Sequence, residues 1–259
     1  MDLTAPRITD DLWALGVASG GVLMVHASLS AMGPVEGGAP TVVDALMAAL
    51  GPQGTLVMPA FINASVSLDG IVETAPKWWA DKARETWPDD PATAPSEMGA
   101  ITEALRQRPG TRRSAHPTTS VIAAGPQAGV ILEPHPVAWA TGTASPFARM
   151  TEMDAQMLLL GVGFNRLSLL HHAEGLIPHG RRKTRLVPEG DHVLAIPDVG
   201  DDLNTHFPAI GQAFLATGQG RMGRIGLAES VLVSAGRMVP FAAGYLSAAL
   251  AMDGTRARP

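Results

Sequence analysis

Gly21-Val-Leu-Met-Val-His26, a Ser- and Gly-rich loop over 27–39, Thr41-Val-Val-Asp-Ala-Leu-Met-Ala-Ala-Leu50 with Gly51 behind it, and Thr55-Leu-Val-Met58 together decide the fold. The outer pieces are apolar runs of strand length. The middle piece has the spacing of an amphipathic helix, closed by a glycine. Strand, helix and strand in that order make a βαβ unit, whose two strands run parallel in one sheet.

The same rhythm extends in both directions. Upstream, Thr9-Asp-Asp11 reads as a helix start with Gly16 near its end. Downstream, a helix is expected near 97–107, a strand over 119–124 and a short helix over 127–132. Ser145-Pro146 fits an N-cap followed by proline in the first turn, opening a helix to about Glu152. Met157-Leu-Leu-Leu160 reads as a buried strand, followed by a Gly161-Val-Gly163 turn and a helix over 166–177. Arg181 to Asp202 reads as short antiparallel strands and loops. Helices over 207–217 and 236–252 close the chain, with strand or turn over 225–234.

One segment breaks the pattern. Residues 61–95 hold Trp78, Trp79, Trp87, several prolines and scattered acids, which reads as a long irregular excursion with one short helix. Three tryptophans argue against disorder. The expected fold is a single α/β domain over 1–259. Its mixed, largely parallel central sheet is flanked by helices, with the excursion at about 61–95 and a small β-rich insertion at about 180–200.

Composition narrows the function. Hydrophobic residues make up 46% of the 259, enough for a sizeable core. Charged residues are 17%, against an average of about a quarter. The net charge of −5 gives no electrostatic support to a nucleic-acid role. With no cysteine, a disulfide scaffold, a thiolate zinc site and a cysteine nucleophile are excluded. No run approaches the length of a membrane span, and no signal peptide is read at the N-terminus. The expectation is a cytoplasmic protein.

Three constellations could carry chemistry. In His26-Ala-Ser-Leu-Ser30, hydroxyls and free backbone N–H groups could cradle a phosphate; the plainer reading is a polar strand-to-helix connection. Arg112-Arg113-Ser-Ala-His116-Pro-Thr-Thr-Ser120 gathers guanidinium groups and hydroxyls suited to pyrophosphate, or forms a solvated basic turn. His171, His172 and Glu174 follow the Gly-Val-Gly turn. Positions 171 and 174 share a helix face, which suits a general base with a carboxylate partner. A metal site lacks an evident third ligand, and a packed core histidine is the third reading. Asp198, Asp201 and Asp202 could hold ammonium groups or simply line a solvated loop. Gly161-x-Gly163 alone is too short for a dinucleotide fingerprint.

Taken together, these segments resemble the aminoglycoside 3-N-acetyltransferase family. The matching pieces include Val25-His-Ala-Ser-Leu-Ser-Ala-Met-Gly33, Gly54-Thr-Leu-Val-Met-Pro-Ala-Phe61, Asp90-Pro-Ala-Thr93, Arg113-Ser-Ala-His-Pro117, Ser145-Pro-Phe-Ala-Arg149, Leu158-Leu-Leu-Gly-Val-Gly163, Leu170-His171 with Ala173-Glu174, and Phe207-Pro-Ala-Ile-Gly211. They run in order over nearly the whole chain.

The resemblance implies an antibiotic N-acetyltransferase fold distinct from the GNAT enzymes. It implies acetyl-coenzyme A as co-substrate, no metal, and direct transfer to the 3-amino group of a 2-deoxystreptamine antibiotic in a ternary complex, in the setting of antibiotic resistance. Carried over by position, the coenzyme loop falls on His26, Ala27, Ser28, Leu29 and Ser30, and a second coenzyme segment on Arg113, Ser114, His116 and Ser120. The catalytic motif falls on His171 and Glu174, with His26 a second catalytic group or an anchor for its loop. The acceptor is polycationic, so Glu174, Asp201, Asp202, Glu73 and Asp89 are its candidate partners, and added salt should raise KM. The family's His-Asp-x-Asn-Thr run after Gly-Val-Gly is here Phe164-Asn-Arg-Leu-Ser168, which bears on specificity. The expected state is a monomer or homodimer binding no nucleic acid and no membrane. The alternatives are an acetyltransferase for another amine or aminosugar, a coenzyme A-binding protein without turnover, and a metal-dependent hydrolase.

Overall fold

The computed structural model describes residues 2–62, 66–71, 78, 81, 85, 87–88, 90, 92–178, 181–189 and 192–256. Its βαβ unit is the one expected: β1 (Val22–Ala27), α2 (Ala39–Leu50) and β2 (Thr55–Pro59), with β1 and β2 parallel and Leu23 opposite Leu56. The first helix, α1 (Ala5–Leu15), begins ahead of Thr9, with Thr4 as N-cap. Pro6 fits the first turn, where its missing N–H is no loss. Thr9 instead lies inside the helix and spends its hydroxyl on the carbonyls of Ala5 and Ala45.

Next come β3 (Val66–Asp69), α3 (Ala100–Arg106), β4 (Arg112–Arg113), β5 (Val121–Ala124), α4 (Ala128–Leu132), α5 (Pro146–Glu152) and β6 (Gln156–Leu160). The chain then forms α6 (Leu169–Gly175), β7 (Arg182–Glu189), β8 (His192–Val199), α7 (Phe207–Ala216), β9 (Arg221–Ile225), β10 (Ala228–Ser234) and α8 (Ala235–Arg256). At α5 the Ser145 hydroxyl accepts from the Ala148 N–H, as its cap pattern predicts.

Seven strands form the central sheet in the order β4-β5-β2-β1-β6-β10-β9. The three at its centre, β2, β1 and β6, are parallel; the flanking pairs are antiparallel. Side chains alternate along each strand, so each strand feeds two cores. Leu23, Val25, Leu56, Met58, Leu158 and Leu160 pack under α1, α2 and α3. Met24, Val57, Met157 and Leu159 pack on the other face under α4 to α8. The result is a helix–sheet–helix sandwich.

The insertion near 180–200 is a hairpin of two eight-residue strands, β7 and β8. Its third strand comes from the excursion: β3 runs antiparallel to β7, with Leu68 opposite Thr184. The sequence reading missed β3 because its partner among the described residues, β7, is distant in the chain. Among the described residues, no helix is long and apolar enough to cross a membrane.

Candidate active site

The carboxyl ends of β1 and β6 open into a cleft of ≈ 840 Å³, roofed by the small second sheet. A space of this size suits a substantial ligand, at the place where open α/β sheets bind theirs.

On the β6 side, the expected helix over 166–177 is divided. A 3-10 turn at Phe164–Arg166 precedes α6. Leu169, Leu170 and Ala173 of α6 are buried in the core, which turns His171 towards the cleft. Nδ1 of His171 lies 2.7 Å from Oε2 of Glu174. The other oxygen, Oε1, accepts the Asp201 backbone N–H at 3.1 Å. An ionised carboxylate only accepts, so Nδ1 carries the proton and Nε2 of the neutral ring is left with its lone pair. The side chains are 19% and 7% exposed, respectively, with Glu174 behind the ring and outside the cleft lining. Phe207 supports the imidazole edge-on, ring centres 4.9 Å apart.

Gly200 closes over this pair with φ +114°. A Cβ there would lie 2.7 Å from His171 Nδ1 and 2.8 Å from Glu174 Oε2. His172 is structural: buried, it donates from Nδ1 to the Thr141 carbonyl at 2.7 Å, while the Thr141 hydroxyl donates to the His171 carbonyl at 3.2 Å. Burial lowers the pKa of His172.

Across the cleft, residues 26–30 all line the wall. The Ser28 N–H is not free as expected; it donates to Leu160 at 2.9 Å and ties the loop to β6. The Ser28 and Ser30 hydroxyls pair at 3.1 Å on the exposed side. His26 is buried with Nε2 unpartnered, and burial lowers its pKa to about 3, so it stays neutral.

The segment expected to add a second phosphate grip is used differently. Arg113 donates to Ser120 Oγ at 2.8 Å and to the carbonyls of Ala94 and Ala60, each at 2.7 Å. The Ser120 hydroxyl donates to the same Ala60 carbonyl. Ser114 Oγ accepts from the Val121 N–H and pairs with Nδ1 of His135. His116 accepts the N–H groups of Thr118 and Thr119 on Nδ1, and Nε2 donates to the Val137 carbonyl. None of Arg113, Ser114, His116 and Ser120 lines the cleft; Thr118 and Thr119 do.

The expected acidic pocket is also modified. Asp202 faces the cleft but pairs with Lys183 at 2.5 Å and Arg185 at 3.3 Å. Asp201 turns inward and accepts the N–H groups of Leu203 and Thr205, capping the approach to α7. Glu73 and Asp89 lie outside the described residues, as does Trp79. Among the described lining residues, Glu97, Asp198 and Asp202 are balanced by Arg166, Lys183 and Arg185.

Phe164, the first position of the departing run, belongs to the core, and its ring fills the space beside Gly211, where a Cβ would be 2.0 Å from Cγ. Asn165, Arg166 and Ser168 of that run line the cleft. Sequence reasoning missed Thr141, Lys183, Arg185, Gly200, Asn204 and Phe207. Only the glycine between Val199 and Asp201 carried a local signal. Among the described residues, no three His, Asp or Glu side chains are grouped to hold a metal.

The family model described as aminoglycoside 3-N-acetyltransferase matches residues 24–247. Aminoglycoside N(3)-acetyltransferase III from Salmonella sp is 38% identical over 270 residues, covering 94% of this chain and 91% of its own. Two solved structures are similar throughout. AAC-IIIb in its binary complex with CoASH has a TM-score of 0.80 at 33% identity, covering 95% of this chain and 97% of its own. Sisomicin-bound AAC-VIa has a TM-score of 0.84 at 31% identity, covering 96% and 99%.

Proposed function

Because this chain belongs to the aminoglycoside 3-N-acetyltransferase family, we propose that it moves an acetyl group from acetyl-coenzyme A to the 3-amino group of a 2-deoxystreptamine aminoglycoside. Transfer is direct, with both substrates in the cleft at once. The chain has no cysteine to hold an acetyl group in transit. The relatives solved with CoASH and with sisomicin support the two ligand classes.

The observation that carries the reading is the His171–Glu174 contact of 2.7 Å on the wall facing loop 26–30. An ammonium group has no lone pair and must lose a proton before it attacks. Nε2 of His171 takes a proton from the substrate nitrogen, while Nδ1–H stays bonded to Glu174. The carboxylate fixes the tautomer and stabilises the imidazolium that forms. Loop 26–30 fits the donor: its serine hydroxyls and the unpartnered His26 Nε2 suit a polar chain entering from the exposed side. When bound, acetyl-coenzyme A supplies the activated thioester carbonyl. As the C–S bond breaks, the proton held by His171 passes to the departing sulfur, and the newly acylated nitrogen releases its remaining excess proton to solvent.

General base catalysis contributes about 10²- to 10⁴-fold. His171→Ala is therefore expected to lower kcat by at least about 100-fold at unchanged acetyl-coenzyme A KM. A kcat within about threefold of the parent overturns the assignment. The balanced charge of the described lining residues favours one second reading, an acetyltransferase for a less cationic aminosugar. Thiol release from acetyl-coenzyme A, with and without gentamicin or apramycin and with chelator present, separates the two. Release driven by gentamicin or apramycin supports the first, and release driven only by a less cationic aminosugar supports the second.

A further inference from the structure

Two acceptor atoms in the cleft have nothing to accept. Oδ1 of Asp198 is buried and makes no hydrogen bond, although Oδ2 of the same carboxylate receives Nε of Arg185 at 2.7 Å. The residue is 3% exposed. Oδ1 of Asn204 is buried and unpartnered too, while its amide nitrogen donates to the Asn165 carbonyl at 2.8 Å. Both residues line the cleft. Buried acceptors are almost always paired, so each is open to a donor from the cleft, a water or a ligand group.

Position says which donor. On β8 and its end, residues 196, 198 and 200 are buried and 197 and 199 are not, so Asp198 and Gly200 share one face. Gly200 abuts the His171–Glu174 pair. At the rise of a strand, Asp198 lies about 7 Å further along that face. Arg185 fixes the carboxylate from one side, and Lys183 occupies Asp202. The open oxygen therefore belongs to a group held in place beside the proton acceptor.

We propose that Oδ1 of Asp198 and Oδ1 of Asn204 form a subsite for a second amine of the acceptor, protonated and distinct from the nitrogen that is acetylated. This deepens the acetyl-transfer reading and rests on it. The subsite selects a polyamino sugar and fixes which of its amines meets His171. It thereby gives a recognition role to an aspartate whose neighbours, Asp201 and Asp202, are spent on the fold.

The test is Asp198→Asn, which keeps shape and removes charge, assayed by thiol release with gentamicin. The expected result is a fall in kcat/KM for gentamicin of about 10- to 100-fold, mostly in KM, with acetyl-coenzyme A KM unchanged. A gentamicin KM within twofold of the parent, with turnover intact, overturns the subsite and leaves acetyl transfer standing; the two oxygens then hold water only. If the parent shows no gentamicin-dependent release, the acetyl-transfer reading fails by itself. Calorimetric titration of gentamicin then decides: at least about tenfold weaker binding by the variant supports the subsite, and equal or absent binding to the parent overturns it. Should Asp198→Asn fail to fold, Asn204→Gly keeps the left-handed backbone (φ +55°) and deletes the second acceptor. It is expected to raise gentamicin KM by about three- to tenfold, and no change overturns the proposal.

Discussion

Residues 113–120 and 198–204 look alike as sequence and differ as structure. Each is a short polar run beside a strand, holding charges and hydrogen-bonding side chains. In the first, the polar atoms of Arg113, Ser114, His116 and Ser120 find partners inside the protein, and these residues stay out of the cleft. In the second, Asp198 and Asn204 each keep an oxygen without a partner, and both face the cleft. A cluster of polar residues is therefore no guide to a binding site. What distinguishes the two runs is whether the protein has already used their hydrogen-bonding capacity, and that depends on residues distant in the chain.

The sharpest way to break this contrast is at Gly200. Gly200→Ala places a methyl against His171 and Glu174, at a backbone angle that side chains avoid. The expected outcome is a loss of kcat of about 100-fold or more, matching loss of the base, with the overall fold retained by circular dichroism. A kcat within threefold would show that the pair tolerates displacement.

Arg113→Gln tests the other run. It removes donors to the carbonyls of Ala60 and Ala94. The expected result is a stability loss of about 2–3 kcal/mol by denaturant melting, with acetyl-coenzyme A KM changed less than about threefold. A large KM change at constant stability would return Arg113 to the coenzyme.

Acid probes the buried histidines together. Burial lowers the pKa of His26 and His135 to about 3 and of His116 to about 4. Unfolded, each titrates near 6.5. Between those values the unfolded chain binds a proton that the folded chain refuses. The stability these rings provide is complete above about pH 6.5 and falls as the pH drops towards 4, at up to about 1.4 kcal/mol per pH unit for each ring. Melting temperature should decline from near pH 6, above the carboxylate range, and the double variant His116→Asn with His135→Asn should flatten that decline. A flat profile between pH 6.5 and 4.5 would contradict the neutral, buried state.

The smallest expected effect concerns salt. A polycationic substrate meeting an acidic surface would show a steep rise of KM with salt. Here the described lining is balanced and Asp198 is buried, where screening is weak. Gentamicin KM should rise by less than about threefold between roughly 50 and 300 mM salt. A steeper rise would locate the binding charge on an exposed patch.

Much of the fold was legible because its signals are local. The βαβ unit follows from apolar runs and the Gly51 closure, and α5 from Ser145-Pro146. The His171–Glu174 pair follows from helix spacing alone. What escaped the sequence is non-local. β3 has meaning only against β7, α1 begins at Ala5 behind the Thr4 cap rather than at Thr9, and the neutralisation of Asp202 requires Lys183 from strand β7. Residues 26–30 do line the cleft, and the tether of the Ser28 N–H depends on Leu160 in a neighbouring strand.

The ring of Phe164 and the bare backbone of Gly211 are interlocked, and this has an evolutionary corollary. A smaller side chain at position 164 would leave a hole beside Gly211 of α7. An alanine at 211, introduced alone, would collide with the aromatic ring. Variation in the 164–168 run is thus least constrained at Asn165 and Arg166, which are exposed on the cleft wall, whereas Ser168 is buried and Phe164 is held by its packing against Gly211.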